Sequence, residues 1–240
     1  VAYRRFISIV YTIPVCILVT VFLIGVSFCI IPFDPRGVTT HALFTFWARC
    51  VLKICGVRVR YHGLERVDPD RRYVCVANHA SLIDIPALVA HFPLRFTYVA
   101  KEELFHIPIF GTYLRRMRHV PVIRGDTRAA ARSMAEAAKA VAHGERSVLV
   151  FAEGTRTSHG LGEFKEGAAL LAIKSGVPLL PLAIKGGRTI WPSKSVVITP
   201  GTAEISIGCE IPVKGLAPSA RTRLTADIRA QIAELLGEPA

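Results

Sequence analysis

Residues 73–89 read YVCVANHASLIDIPALV. The first five, Tyr73–Ala77, are apolar and read as a buried strand. From Leu82 to His91 the pattern turns helical. Asn78, His79, Ser81 and Asp84 interrupt the apolar run where strand gives way to helix. On one continuous helix His79 and Asp84 would stand about 140° apart, too far round for contact. On a strand-to-helix turn entered near Ser81, the carboxylate can swing back to the imidazole. It then accepts from one ring nitrogen and leaves the other free as a base. Two readings are open on this stretch alone: a catalytic pair, or a hydrogen-bonded turn that only holds the backbone.

The same alternation runs along the rest of the chain. Strands are expected at 58–62, 73–77, 95–100, 120–124, 147–152 and 179–185. A late hairpin is expected from 195–198 and 204–207, turned by TPGTAE. Helices are expected at 82–91, 127–143, 165–175 and 220–236, the second of them rich in Ala, Arg, Glu and Lys. Strands alternating with helices predict an α/β fold with a mixed, mostly parallel sheet and helices on both faces. In such sheets, sites form where strands end and helices begin.

The 240 residues suffice for one good-sized core. Apolar residues make up 51%, and the mean hydropathy is +0.40. That excess is concentrated in Phe6–Ile31, which holds no charged side chain. The net charge of +12 favours anionic partners. Zinc-finger spacing, a basic heptad region and an RNP-like aromatic strand are all missing, so lipid is a better fit than nucleic acid. The six cysteines include no C-x-x-C pair, as expected of reduced, individually buried thiols in a cytosol-facing body.

A helix over 6–31 would run about 39 Å, against about 30 Å for a bilayer's hydrocarbon core. It can span with tilt, or bend at Pro14 or Gly25 and re-enter one leaflet. Its length and the lack of an A-x-A site argue against a cleaved signal peptide. Residues 39–55 form an amphipathic pattern with Arg49 and Lys53 on one face. They suit either an interfacial helix or a helix packed on the core. The expected division is an N-terminal membrane anchor over 1–56 and a catalytic domain over 57–240.

Three further stretches carry polar groups at strand ends. FAEGTRTSHG, 151–160, places Glu153, Gly154, Thr155 and Arg156 directly after an apolar strand. Glycine permits a tight turn there, and arginine can grip a phosphate with two parallel donors. The bland reading is a surface loop with a salt bridge. RRMRHVPVIRGD, 115–126, ends its apolar run at Arg124. FKEGAALLAIKSG, 164–176, reads as a helix entered through Gly167, with N-terminal amides available to an anion.

In chain order, four blocks resemble the lysophospholipid and glycerophosphate acyltransferase family. NHASLID matches its N-H-x-x-x-x-D block. KEELFHIPIFGTYLRRMRHVPVIR, from Lys101 to Arg124, is similar to the second block with its lead-in. FAEGTRT is similar to F-P-E-G-T-R-S, with Ala152 for Pro and Thr157 for Ser, and VPLLPL resembles the fourth. The proline-to-alanine departure removes no reacting group and bears only on fine positioning.

The resemblance implies transfer of a fatty acyl group from a thioester to the sn-2 hydroxyl of 1-acylglycerol 3-phosphate, giving phosphatidic acid. His79 would be the general base and Asp84 its orienting partner. Arg124, Arg156 and Lys101 would bind the acceptor, and Glu153, Gly154 and Thr155 would shape its pocket. No metal or other cofactor is implied, and acyl-CoA or acyl carrier protein would be the co-substrate. The implied location is the cytoplasmic membrane, with the bilayer and lysophosphatidic acid as partners and the catalytic domain in the cytosol. The same blocks accommodate another acceptor, such as glycerol 3-phosphate, another lysolipid or an aminoacyl lipid. A thioesterase and a non-catalytic basic membrane-binding module are the rivals from other classes.

Overall fold

Three short apolar runs of the sequence become the centre of one sheet. The structure, a computed structural model, describes residues 2–123, 125–144 and 146–238. Strand β2 (Val74–Ala77) lies parallel between β5 (Ser147–Phe151) and β6 (Leu179–Lys185), and all four of its residues are buried. A strand flanked on both edges and covered on both faces has no solvent side, hence its unbroken apolar sequence. Beyond β5 come β3 (Phe96–Lys101) and the edge strand β4 (Val120–Val122), both parallel. Beyond β6 come β7 (Gly201–Ile207), antiparallel to β6, and the edge strand β1 (Val57–His62), parallel to β7. The sheet order is β1-β7-β6-β2-β5-β3-β4.

Helices cover both faces, as the alternating sequence pattern predicts. Tyr73, Cys75, Leu180 and Leu182 face α3 (Val38–Ile54) and α4 (Asp84–Val89). Val74, Val76, Val148 and Val150 face α6 (Thr127–His143), α7 (Gly167–Ser175) and α9 (Arg221–Leu236). Asp126 caps α6 by accepting from the Arg128 and Ala129 amides, both at 2.9 Å. Two short helices complete the body, α5 (Phe110–Arg116) and α8 (Gly187–Ile190).

The expected hairpin over 195–198 and 204–207 does not form. Residues 195–200 are irregular, and β7 pairs with β1 and β6 instead. The amides of the irregular stretch find other acceptors. Val197 N–H donates to Ser195 Oγ at 2.9 Å, Ile198 N–H to Ser8 Oγ at 3.0 Å and Thr199 N–H to the Ile190 carbonyl at 2.8 Å.

The N-terminal apolar segment is helical from Ala2 to Phe33, longer at both ends than the charge-free stretch predicts. It comprises α1 (Ala2–Ile7), a π-helical turn (Ser8–Thr12), α2 (Ile13–Ile30) and a 3₁₀ turn (Ile31–Phe33). Pro14 fits the π turn before it, because proline has no N–H to donate to the carbonyl four residues back and its ring crowds that carbonyl. With a mean hydropathy of 2.8 the helix is long and apolar enough to cross a membrane. Phe6, Ile17, Leu18, Val21 and Phe22 stay exposed along it. Such an uncovered apolar stripe is what membrane association requires.

The amphipathic stretch folds as α3 and packs on the core through Ala48, Val51 and Leu52. Arg49 donates to the Ala90 carbonyl at 2.9 Å, so it serves the end of α4 rather than a free cationic face. Asp34 anchors the start of α3 by accepting from the Val38 and Thr40 amides at 2.9 and 2.7 Å. Trp47 ties α3 to α2 by donating from Nε1 to Thr20 Oγ1 at 2.9 Å. The thiols are free but not all individually buried. Cys29 and Cys209 are exposed, and the Cys16 and Cys55 sulfurs lie 4.0 Å apart.

Candidate active site

Because β2, β5 and β6 run parallel, their C-terminal ends open on the same edge of the sheet. His79 follows β2, Glu153 follows β5 and Gly187 follows β6. The turn after β2 closes on a single carboxylate oxygen. Asp84 Oδ2 lies 2.9 Å from His79 Nδ1 and accepts from the Ala80 and Ser81 amides at 2.7 and 2.8 Å. Asp84 is wholly buried, while 13% of the His79 side chain remains accessible. With Nδ1–H directed at the carboxylate, Nε2 keeps the free lone pair. The ring stacks on Phe151, with centroids 4.0 Å apart and planes inclined by 21°.

Neighbouring residues hold this turn from outside. Asn78 exchanges two bonds with the Ile184 backbone, donating to its carbonyl at 2.9 Å and accepting from its amide at 2.7 Å. Ser81 Oγ donates to the Trp191 carbonyl at 2.7 Å. Gly187 packs so closely that a Cβ there would lie 2.5 Å from Asp84 Oδ1 and 2.9 Å from Ser81 Cβ. That Oδ1 has no hydrogen-bond partner among the described residues.

Glu153 is buried and fully committed to backbone. Its Oε1 accepts from the His79 amide at 2.8 Å and its Oε2 from the Gly162 amide at 3.2 Å. The carboxylate thus joins the two strand-end loops. Thr157 adds to the joint, its amide donating to the His79 carbonyl at 2.9 Å. Gly154 adopts a left-handed φ of 68°, which glycine accepts without strain.

His79 lies on the wall of a cavity of about 1240 Å³. Thr20, Leu23, Ile24 and Ser27 of α2 and Leu43, Phe44 and Trp47 of α3 form one apolar side. From there it passes His79, Phe151 and Gly154 and continues to the start of α7 and one flank of α9. The wall includes His119, whose Nδ1 accepts from the Tyr98 amide at 3.1 Å. Burial, reinforced by the nearby Arg146 cation, pushes its pKa down to about 3, so this second imidazole stays neutral.

The structure therefore gathers His79, Asp84, Glu153 and Gly154 at one sheet edge. Lys101 also lines the cavity, its ammonium paired with Glu103 at 2.7 Å. Thr155 is exposed and Arg156 half-buried, and neither lines the cavity. Arg124 lies outside the described residues, although Ile123 and Gly125 on either side of it line the cavity. Phe151 and Gly187 escaped the sequence reading. An aromatic strand terminus and a glycine pair after a strand carry no local mark of a site. No group of three or more His, Cys, Asp or Glu able to hold a metal ion occurs among the described residues.

A histidine–carboxylate pair on a strand-to-helix turn, opening into an apolar cavity walled by a bilayer-length helix, defines a class. The Acyltransferase family model matches residues 58–185, and the chain belongs to that family. It is 30% identical over 214 residues to the 1-acyl-sn-glycerol-3-phosphate acyltransferase of Pseudomonas aeruginosa, covering 87% of this chain and 81% of that one. It is 31% identical over 167 residues to the enzyme of the same name from Cocos nucifera, covering 69% of this chain and 53% of the longer plant protein. The fold matches the crystal structure of the 1-acyl-sn-glycerophosphate (LPA) acyltransferase PlsC from Thermotoga maritima. The TM-score is 0.66 at 26% identity, with 93% of this chain and 97% of that chain covered.

Proposed function

We propose that the protein transfers a fatty acyl group from a thioester to the sn-2 hydroxyl of 1-acylglycerol 3-phosphate, forming phosphatidic acid for phospholipid synthesis. The observation that carries this reading is the His79–Asp84 pair at the edge of a cavity whose far wall is the apolar N-terminal helix. A thioester is already activated, so no covalent enzyme intermediate is needed. His79 Nε2 takes the proton of the acceptor hydroxyl as its oxygen attacks the thioester carbonyl. Asp84 orients the ring and stabilises the imidazolium. Collapse of the tetrahedral intermediate breaks the carbon–sulfur bond, and the imidazolium returns its proton to the departing thiolate.

Arg124, Arg156 and Lys101 bind the acceptor's headgroup, and Glu153, Gly154 and Thr155 shape the loop around it. The apolar part of the cavity takes an acyl chain. Residues 1–56 anchor the chain in the bilayer and 57–240 carry the chemistry. The exposed stripe on α1 and α2 supports that division, while another face of α2, together with α3, walls the cavity. The donor is acyl-CoA or acyl carrier protein, which places the catalytic body on the cytosolic side of the cytoplasmic membrane.

The test is a panel assay with purified protein and labelled acyl-CoA or acyl carrier protein. Acceptors are 1-acylglycerol 3-phosphate, glycerol 3-phosphate, a lysophospholipid with a larger headgroup and an aminoacyl lipid. The reading predicts the highest kcat/KM for 1-acylglycerol 3-phosphate. Preference for another acceptor would reassign the substrate, and thioester loss without ester formation would make the protein a thioesterase.

A further inference from the structure

Four described cations line the cavity: Lys101, Lys165, Arg221 and Arg229. Three already have partners within the fold. Lys101 pairs with Glu103 at 2.7 Å, and Arg221 Nε pairs with Glu166 at 2.6 Å. Arg229 donates to the Gly162 and Leu161 carbonyls, both at 3.2 Å. No described residue forms a hydrogen bond or ion pair with the Lys165 ammonium.

The backbone fixes where that ammonium goes. The Lys165 amide donates to the Ala152 carbonyl at 2.9 Å, which ties residue 165 to the end of β5. From there the side chain lies across Gly154. A Cβ at Gly154 would meet Lys165 Cδ at 3.3 Å, Cε at 3.2 Å and Nζ at 3.1 Å. The ammonium is thus carried to the residue after Glu153, whose carboxylate bonds the His79 amide. Gly154 gives this lysine room as well as turning the chain.

We propose that Lys165 is a further acceptor-binding residue, its ammonium holding the phosphate of the lysolipid while the hydroxyl lies against His79. The inference rests on the acyltransferase reading above. The sn-2 hydroxyl oxygen and the phosphorus are joined through two carbons and one oxygen, so their protein partners must lie close together. Lys165, beside Gly154 on the wall that His79 shares, meets that requirement. An unpaired ammonium offers three donors to a phosphate as a point charge. Arg156, outside the cavity lining, cannot be the whole grip.

The experiment compares the full-length wild type with Lys165→Met, which keeps an apolar stem over Gly154, and Lys165→Arg, which keeps the charge. KM and kcat are measured for 1-acylglycerol 3-phosphate, for the acyl-CoA donor and for 1-acylglycerol, which lacks the phosphate. A lost charge-assisted contact predicts that Lys165→Met raises the KM for the phosphorylated acceptor roughly ten- to hundredfold. The donor KM and the kcat/KM for 1-acylglycerol should move less than about twofold, and Lys165→Arg should recover most of the loss. Equal losses on both acceptors would reduce Lys165 to a structural role. A rise confined to the donor KM would assign it to the donor's phosphates, and no change would remove it from the site. Each of these results overturns the proposal. Failure of the wild type to acylate 1-acylglycerol 3-phosphate from either donor would overturn the acyltransferase reading itself.

Discussion

The turn after β2 and the α2–α3 wall face one cavity and are built on opposite principles. In the turn, the donors to Asp84 Oδ2 come from residues 79, 80 and 81, and Gly187 leaves no free space against the other oxygen. In the wall, apolar side chains pack with loose directional demands, and the Trp47–Thr20 hydrogen bond ties the two helices together. Directional contacts lose function steeply when atoms move, and apolar packing yields gradually.

The steepest effect is expected at Asp84. Asp84→Asn removes the charge that orients and stabilises the imidazole while keeping the side chain's size. Transfer should fall by about 10²–10⁴-fold, read as kcat in a labelled-thioester assay. A loss no larger than that of a conservative change in the wall would break the contrast. Gly187→Ala comes next. Its new Cβ must push the carboxylate away, so kcat should fall by about 10- to 100-fold with the acceptor KM nearly constant. A rise in KM alone would place Gly187 on the substrate side instead.

Two stability measurements sharpen the comparison away from the turn. His119 titrates near 6.5 when unfolded but is held to about 3 in the fold by burial and Arg146. Below pH 6.5 the unfolded chain therefore binds a proton that the folded chain refuses, and stability falls as pH falls toward 3. At about 1.4 kcal/mol per pH unit, the loss from pH 7 to pH 5 is about 2 kcal/mol. His41, held to about 4 by burial with Arg95 and Arg146, acts in the same direction. His119→Asn should thus flatten the pH dependence of the urea midpoint without abolishing it. The smallest effect belongs to Thr20→Val, which removes the acceptor of the Trp47 indole. It should lower stability by about 1 kcal/mol and leave the rate of transfer close to wild type.

The same difference decides what could be read from the sequence. The His79–Asp84 contact is local: a five-residue spacing on a strand-to-helix turn brings the groups together, and the four ordered blocks point to its chemistry. Central strands and the capped helix over 127–143 were legible for similar reasons, through unbroken apolar runs and a strong local helix composition. The contacts that complete the site are not local. Gly187 lies more than a hundred residues from Asp84, and Phe151 meets the His79 ring only because β2 and β5 are neighbours. Glu153 reads from the sequence as a salt-bridged loop acid or a shaper of the acceptor pocket, yet both its oxygens are taken by backbone amides. The expected late hairpin failed because turn residues set where a chain reverses, while its partners are chosen by the whole sheet. β7 found β1 and β6 instead.

The most direct test follows labelled phosphatidic acid formed from acyl-CoA or acyl carrier protein and 1-acylglycerol 3-phosphate, by wild type and His79→Ala side by side. The variant should keep its thermal midpoint and its binding to anionic vesicles, and lose transfer by about 10²–10⁴-fold. Transfer at a near-wild-type rate in that variant would contradict the assignment of His79 as the base.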